Sequence, residues 1–417
     1  MRGMEMLKNS IVFAALAGAS GAAFSQSTVT LYGVVDVGAT YLSSQVLSDQ
    51  DGHRSGSKNV MMTGGNNFPS IFGLKGVEDL GGGTQAIFTL ENSYTSATGA
   101  LLQPNTLFNH QAYVGLSNGS YGAITFGRQF DPYTSYLGIL ASSCNGASLM
   151  GAHFGDIDNL NFAMNIPNAL KYESPTWDGF KFGALYSFGG VAGSIATNRA
   201  WSFGVDYSNG PVTLAAGYLY VNHPFQSALG GTANGDDSGY IGDLSWSALG
   251  PARYDQIQNA NSLANLGVGG SYTFGSATLG LLYTHSRLAN SLYFAQANSS
   301  TGSDITFDTV ELNGTYNVSE ALVFGAAYSY EYGHVNTTSQ RPKFQIASVD
   351  FTYNLSKRTA LYGIVNYEHA GGDGIGRYTN PVTGETTFGL PLAQLAAVGT
   401  ANSANQVAVT VGIRHTF

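Results

Sequence analysis

The chain has 417 residues and a formal net charge of -9. Charged residues make up 10%, well below the roughly 25% of soluble domains, while Gly reaches 55, Tyr 25, Phe 23 and Cys 1. A lone Cys excludes a disulfide scaffold. The many aromatics exclude disorder, the acidic balance argues against a nucleic-acid partner, and a mean hydropathy near zero excludes a bundle of membrane helices.

The N-terminus reads as an export signal. Arg2 and Lys8 give a positive start, Ile11 to Ala17 a short apolar stretch, and Ala23-Phe24-Ser25 an A-x-A-like cleavage site. Cleavage is expected before Gln26, leaving 26–417 as the mature domain. Removing 1–25 takes two basic residues and one acidic residue, so the net charge moves from -9 to -10. No later run of 18 apolar residues appears, so no membrane helix is expected.

Beyond the signal, short segments alternate with period two, the mark of strands. Phe180, Phe182, Ala184, Tyr186 and Phe188 alternate with Lys181, Gly183, Leu185 and Ser187. Trp201, Phe203, Val205 and Tyr207 alternate with Ser202, Gly204, Asp206 and Ser208. The same split recurs over 322–331, 346–355 and 406–417. One face is apolar and aromatic. The other is Gly, Ser, Thr and an occasional charge, not the Lys and Glu of a water-washed sandwich. That contrast fits lipid on one side and a lumen on the other.

Connections come in two lengths. Seven are short and rich in Gly, Asn, Asp or Ser, residues suited to tight turns: 79–83, 118–122, 178–179, 209–210, 275–276, 319–320 and 356–358. Eight are long, near 45–67, 97–106, 131–166, 189–199, 222–263, 290–305, 334–343 and 372–404. Fifteen alternating connections join sixteen strands, with both termini on the short-turn side. The expected fold is all-β, a 16-stranded antiparallel transmembrane β-barrel wide enough for an aqueous channel.

Several segments, in order, are similar to one family. They are Ser27 to Asp36, Phe72 to Gly83, Ala112 to Leu116, Phe126 to Gln129, Leu170 to Pro175, and the closing Val411 to Phe417 with its terminal Phe. The chain resembles the general diffusion porins of Gram-negative bacteria, of the betaproteobacterial type. The resemblance implies a homotrimer in the cell outer membrane, in contact with lipid and lipopolysaccharide. It implies passive passage of ions and small hydrophilic solutes, without a cofactor.

It also implies that the long loop over 131–166 folds inward as the constriction. Asp131, Asp156 and Asp158 are its carboxylates, with Asp156 and Asp158 expected to form an acidic rim that attracts cations. Turn chemistry in Gly155 to Asn159 is the competing explanation. The candidate pore wall comprises Asp36, Lys75, Glu91, His110, Arg128 and Lys171. Where the family carries a ladder of Arg, this sequence has Ile71, His110 and Asn165. The missing ladder predicts a cation preference. If His110 lines the constriction, acidification through the range where histidine titrates should move selectivity toward anions. Arg128 shares the parity of Ile124 and Phe126 and faces outward unless a bulge intervenes.

Two other functions stay open: a solute-specific porin using Tyr133, Tyr136 and Phe154 as an aromatic contact, or a non-conducting surface barrel. Catalytic signatures such as His-Glu-x-x-His, Gly-x-Ser-x-Gly and CxxC do not occur, and the eight His are scattered without metal-ligand spacing. Gly371 to Gly376 resembles one calcium-repeat unit but reads as a loop in single copy. Cys144 reads as an unpaired loop thiol, and the segment Ala97 to Thr106 lacks the acidic residue of the family's intersubunit latch.

Overall fold

A computed structural model describes residues 28–417 apart from 49–53, 104–105, 163, 225–259, 292–301, 338, 374–375 and 380–385. The expected signal segment and most of the loop at 222–263 lie outside the described residues.

The chain begins with β1 (Thr28–Ser48), β2 (Arg54–Gly64), β3 (Ser70–Gly81), β4 (Thr84–Tyr94), β5 (Gln111–Asn118) and β6 (Gly122–Gln129). The short helix α1 (Pro132–Leu137) opens the inward loop. Then come β7 (Ile166–Glu173), β8 (Phe180–Ser187), β9 (Ala200–Asn209), β10 (Val212–Asn222), β11 (Ser262–Phe274) and β12 (Ala277–Ser291). The last group is β13 (Ser303–Asn317), β14 (Leu322–Val335), β15 (Pro342–Asn354), β16 (Thr359–Gly372), β17 (Gly376–Thr379), β18 (Thr386–Leu390) and β19 (Asn405–Thr416).

Every neighbouring pair in the barrel is antiparallel, and β1 closes on β19 with Asp36 opposite Arg414 and Tyr41 opposite Val409. Backbone bonds from Gly33 N to Phe417 O (3.2 Å) and from Phe417 N to Gly33 O (3.0 Å) extend the seam to the last residue. β17 and β18 form a separate hairpin within the loop before β19.

The barrel has sixteen staves, because β2 and β3 make one stave in two pieces. The lower part of β1 pairs with β3, Thr28 with Val77 through Val34 with Ile71. Its upper part pairs with β2, Val37 with Gly64 onward. The expected loop at 45–67 is therefore mostly strand. What interrupts it is the kink at 65–69, where Pro69 removes a ladder donor.

All seven short connections fall between strand ends, where hairpin chemistry put them. The alternation also holds, because the two faces of a strand are fixed by its pleat. On the outer face Val268, Leu281, Leu312, Val349 and Val411 are exposed, as lipid contact requires. Aromatic pairs on that face gather toward the ends: Trp201 stacks on Tyr218 with centroids 5.1 Å apart, and Tyr272 on Phe274 at 6.4 Å.

The inner face is not uniformly polar. Toward the loop side of β10 to β15 it presents Leu219, Val221, Leu263, Leu282, Leu288, Ile305, Phe307 and Phe344, all buried. They form one apolar cluster with Tyr133, Tyr136, Leu137, Leu140, Phe154, Ile157 and Leu160 of the inward loop. The larger apolar core among the described residues thus lies inside the barrel, between loop and wall. Each fully buried Leu or Phe there contributes about 1.5–3 kcal/mol.

Candidate functional site

The loop at 131–166 enters the lumen through α1. Asp131 caps the helix: its Oδ1 accepts from Thr134 N (3.2 Å) and Ser202 Oγ (2.7 Å), its Oδ2 from Thr134 Oγ1 (2.7 Å). Pro132 follows at the first turn, where a missing N–H costs nothing.

The helix rests on a belt of glycines. Gly183 on β8 stands opposite Gly204 on β9, Gly204 opposite Gly217 on β10, and Gly217 opposite Gly267 on β11. A Cβ on Gly204 would sit 2.7 Å from Pro132 O, and one on Gly217 would sit 3.1 Å from Tyr133 Cα. Four glycines in register therefore make the recess that receives α1, a close backbone approach that only Gly allows.

Further along, the loop is pinned by buried polar groups. His153 Nδ1 donates to Asp158 Oδ2 (2.6 Å) and Nε2 donates to Glu311 Oε2 (3.1 Å) on β13. With carboxylates at both ring nitrogens, both must carry protons, so His153 is an imidazolium. Burial alone would lower its pKa, but the Asp158 and Glu311 carboxylates outweigh that and hold it well above the usual range. Burial likewise opposes ionisation of Asp158, yet the His153 charge and hydrogen bonds hold its pKa below the ordinary carboxylate range.

Glu311 also accepts from Ser142 N (2.8 Å) and Ser142 Oγ (2.6 Å), and Asp158 accepts from Thr284 Oγ1 (2.8 Å) on β12. Asn265 and Asn313 donate to Ile157 O (2.9 Å) and Leu140 O (2.8 Å). These bonds hold a backbone that takes left-handed φ at Ser148 (69°), Asp156 (46°), Asn159 (60°) and Phe162 (60°). Such conformations cost about 1–3 kcal/mol each and persist where the surroundings fix them.

This geometry corrects the expected acidic rim. Asp131, Asp156 and Asp158 are all buried. Asp131 caps α1, Asp156 accepts from Asn161 N (2.9 Å), and Asp158 belongs to the His153 cluster. The turn-chemistry alternative describes Asp156 better, since it sits at a left-handed turn. Tyr133, Tyr136 and Phe154 are packing residues: Phe154 stacks on Phe344 with centroids 3.7 Å apart.

The wall residues divide similarly. Asp36 is fully buried, and its carboxylate collects the kink: Oδ1 accepts from Asn66 N (3.0 Å) and Tyr362 Oη (2.7 Å), Oδ2 from Asn67 N (3.1 Å) and Phe68 N (3.1 Å). It shapes the second stave and is not an open pore charge. Glu91 is buried between Tyr32 Oη (2.7 Å), Gln111 Nε2 (3.1 Å) and His110 Nδ1. His110 sits edge-on to Phe130 of the segment leading into the inward loop at 4.7 Å.

Lys75 is exposed on the lumen face, 5.2 Å from the Tyr32 ring centre. Lys171 donates to Phe130 O (3.2 Å) and pairs with Glu173 (3.5 Å). Arg128 is resolved by a bulge between Gly127 and Gln129. Gly127 takes φ 134°, where a Cβ would meet Ala112 O at 2.1 Å. The extra residue turns Gln129 inward and lets Arg128 reach Asn109 O and Gln103 Oε1 (3.0 Å) in the loop before β5. Cys144 keeps an edge open to solvent, and its Sγ donates to Leu160 O (3.5 Å).

Sequence reading missed His153, Glu311 and the glycine belt. His153 stood alone in the chain and Glu311 was one polar residue on one strand. Their partnership spans 158 positions, and no spacing rule reaches that far.

A family model described as Gram-negative porin matches residues 13–373. The chain is a Gram-negative porin. An outer membrane porin protein of Bordetella pertussis is 30% identical over 398 residues, covering 87% of this chain and 94% of that one. Outer membrane porin protein 32 of Delftia acidovorans is 28% identical over 426 residues, covering 99% and 100%. Among solved structures, an anion-selective porin from Comamonas acidovorans has a TM-score of 0.63 at 22% identity, covering 94% of this porin and all of that chain. OmpT of Vibrio cholerae, solved in a trimer form, has a TM-score of 0.57 at 16% identity. The porin barrel and its outer-membrane setting are thereby established for this chain.

Proposed function

We propose that this porin is a passive, trimeric diffusion channel for ions and small hydrophilic solutes, exported after removal of residues 1–25, with a weak preference for cations. The supporting observation is the loop at 131–166, packed inside a sixteen-stave barrel against one side of its wall, as a constriction requires. The trimer form of OmpT supports the assembly by analogy.

The cation preference rests on the lumen as a whole and not on a rim. Acidic side chains on the inner face and inward loop include Asp36, Glu91, Asp131, Asp156, Asp158, Glu173, Asp206, Glu311, Glu331, Asp350 and Glu368, against Lys75, Arg128, His153, Lys171, Lys181 and Arg414 among the described residues. Low-dielectric walls carry that excess into the passage. Several of these carboxylates are paired, with Glu173 between Lys171 and Lys181 (3.5 and 3.2 Å), which keeps the preference weak. The anion-selective neighbour points the other way. Reversal potentials across a salt gradient in planar bilayers test the sign, and an anion-selective value rejects it. Absence of any conductance would reject the channel itself.

A further inference from the structure

The passage beside the inward loop has a feature that diffusion of ions does not call for. A partly enclosed cavity of about 320 Å³ lies between the kinked second stave, the loop before β5 and the far flank of the inward loop. Its described lining contains no Asp, Glu, Lys or Arg, and His110 and Tyr94 are its only titratable groups. In a lumen that carries acidic and basic residues on most staves, this stretch of wall is free of permanent charge. The charges nearest it are turned away. Asp36 is consumed by the kink, Glu91 is capped by Tyr32, Gln111 and His110, Arg128 points into the loop before β5, Arg414 is engaged by Asn67 Oδ1 (2.5 Å), and Asp156 by Asn161 N (2.9 Å).

The remaining lining is amphipathic. Phe162, Met150, Leu149 and Phe68 supply apolar surface, and Asn161 and Ser143 supply polar atoms. The aromatic surface is held rigid. Phe162 meets Phe130 edge-on at 5.0 Å, and Phe130 meets His110 edge-on at 4.7 Å. Fixed rings with a few polar groups around them are the usual lining of a small-molecule site, and 320 Å³ is at the small end of such sites, about 300–1,000 Å³.

We propose that this cavity is a binding subsite in the solute path for small uncharged molecules that carry one ring and several hydrogen-bonding groups. The proposal rests on the channel reading above and adds a substrate class to it. An ion gains nothing from a charge-free wall, and a bare sugar offers only its small C–H faces, without the aromatic ring that pairs best with Phe162. A ring bearing hydroxyls satisfies both parts of the lining.

The test uses the purified full chain in planar bilayers, with phenyl β-D-glucoside as the probe. Transient, saturable current blockades are expected, with glucose and benzoate at least about tenfold weaker. Phe162→Ala and Asn161→Asp should each weaken the block by about tenfold, the second by placing a carboxylate in the cavity. Equal blocking by glucose, or an unchanged block in both variants, overturns the subsite. If Phe162→Ala fails to fold, shown by loss of the heat-modifiable band, Asn161→Asp alone carries the comparison. If the wild-type chain does not conduct, the channel reading fails. The subsite is then read by calorimetric titration of the detergent-solubilised protein with the same glucoside, where no binding overturns it.

Discussion

The two flanks of the inward loop are built on opposite principles. On one flank, α1 and the residues after it press against β8 to β15 through a glycine belt, a dry apolar cluster and one buried imidazolium. On the other flank, the loop leaves a cavity whose described walls carry no permanent charge. The first flank spends close packing and buried charge on holding position. The second leaves space where solute can lie. A constriction needs both, because a loop not fixed on one side cannot define a passage on the other.

The largest effect should come from removing the charge that joins loop to wall. His153→Leu leaves Asp158 and Glu311 buried with no counter-charge, a loss of about 3–5 kcal/mol for a broken buried pair. The loop should detach, so single-channel conductance and current noise should both rise. Maleimide labelling of Cys144 should also quicken once its surroundings open. Unchanged conductance would show that packing alone fixes the loop.

A smaller effect is expected from filling the belt. Gly204→Val puts a side chain where even a Cβ lies 2.7 Å from Pro132 O, and overpacking of this kind costs about 1–3 kcal/mol. Conductance should rise less than with His153→Leu, while the charge-free flank should keep its preference for a neutral ring over glucose.

The smallest effect should come from pH. His153 is raised, so its contribution is complete below its ordinary titration range and is lost only as pH climbs through the raised value. Asp158 is lowered, so its contribution is complete above the ordinary carboxylate range and is lost only as pH falls through the depressed value. The two windows overlap across neutrality. Current noise should therefore stay flat there and rise only in strong acid or strong base. A step near neutrality would mean that this pair does not anchor the loop.

Much of the barrel was legible because the alternation of a strand is local. Val407 to Phe417 declare their two faces within twelve residues, and Asn209-Gly210 declares a turn within two. The kink in the second stave was not legible, because the carboxylate that organises it, Asp36, is some thirty residues away on β1. Arg128 shows the same limit from another side. Its parity was read correctly, but the bulge at Gly127 resets the count, and only the partner strand reveals the bulge.

The sequence by itself determined the charge-poor composition, the sixteen staves, the seven turns and the porin family. Each depends on residues near one another in the chain. The tertiary structure decided which of the inward glycines meet water and which meet protein. Gly183 and Gly204 read as lumen lining, and the register of four strands joins them with Gly217 and Gly267 as the seat of α1. It decided equally that Asp131, Asp156 and Asp158 are structural. The physical reason is the same in both cases: a side chain's role depends on what the closed barrel brings opposite it, and closure is set by pairings between residues far apart in the chain.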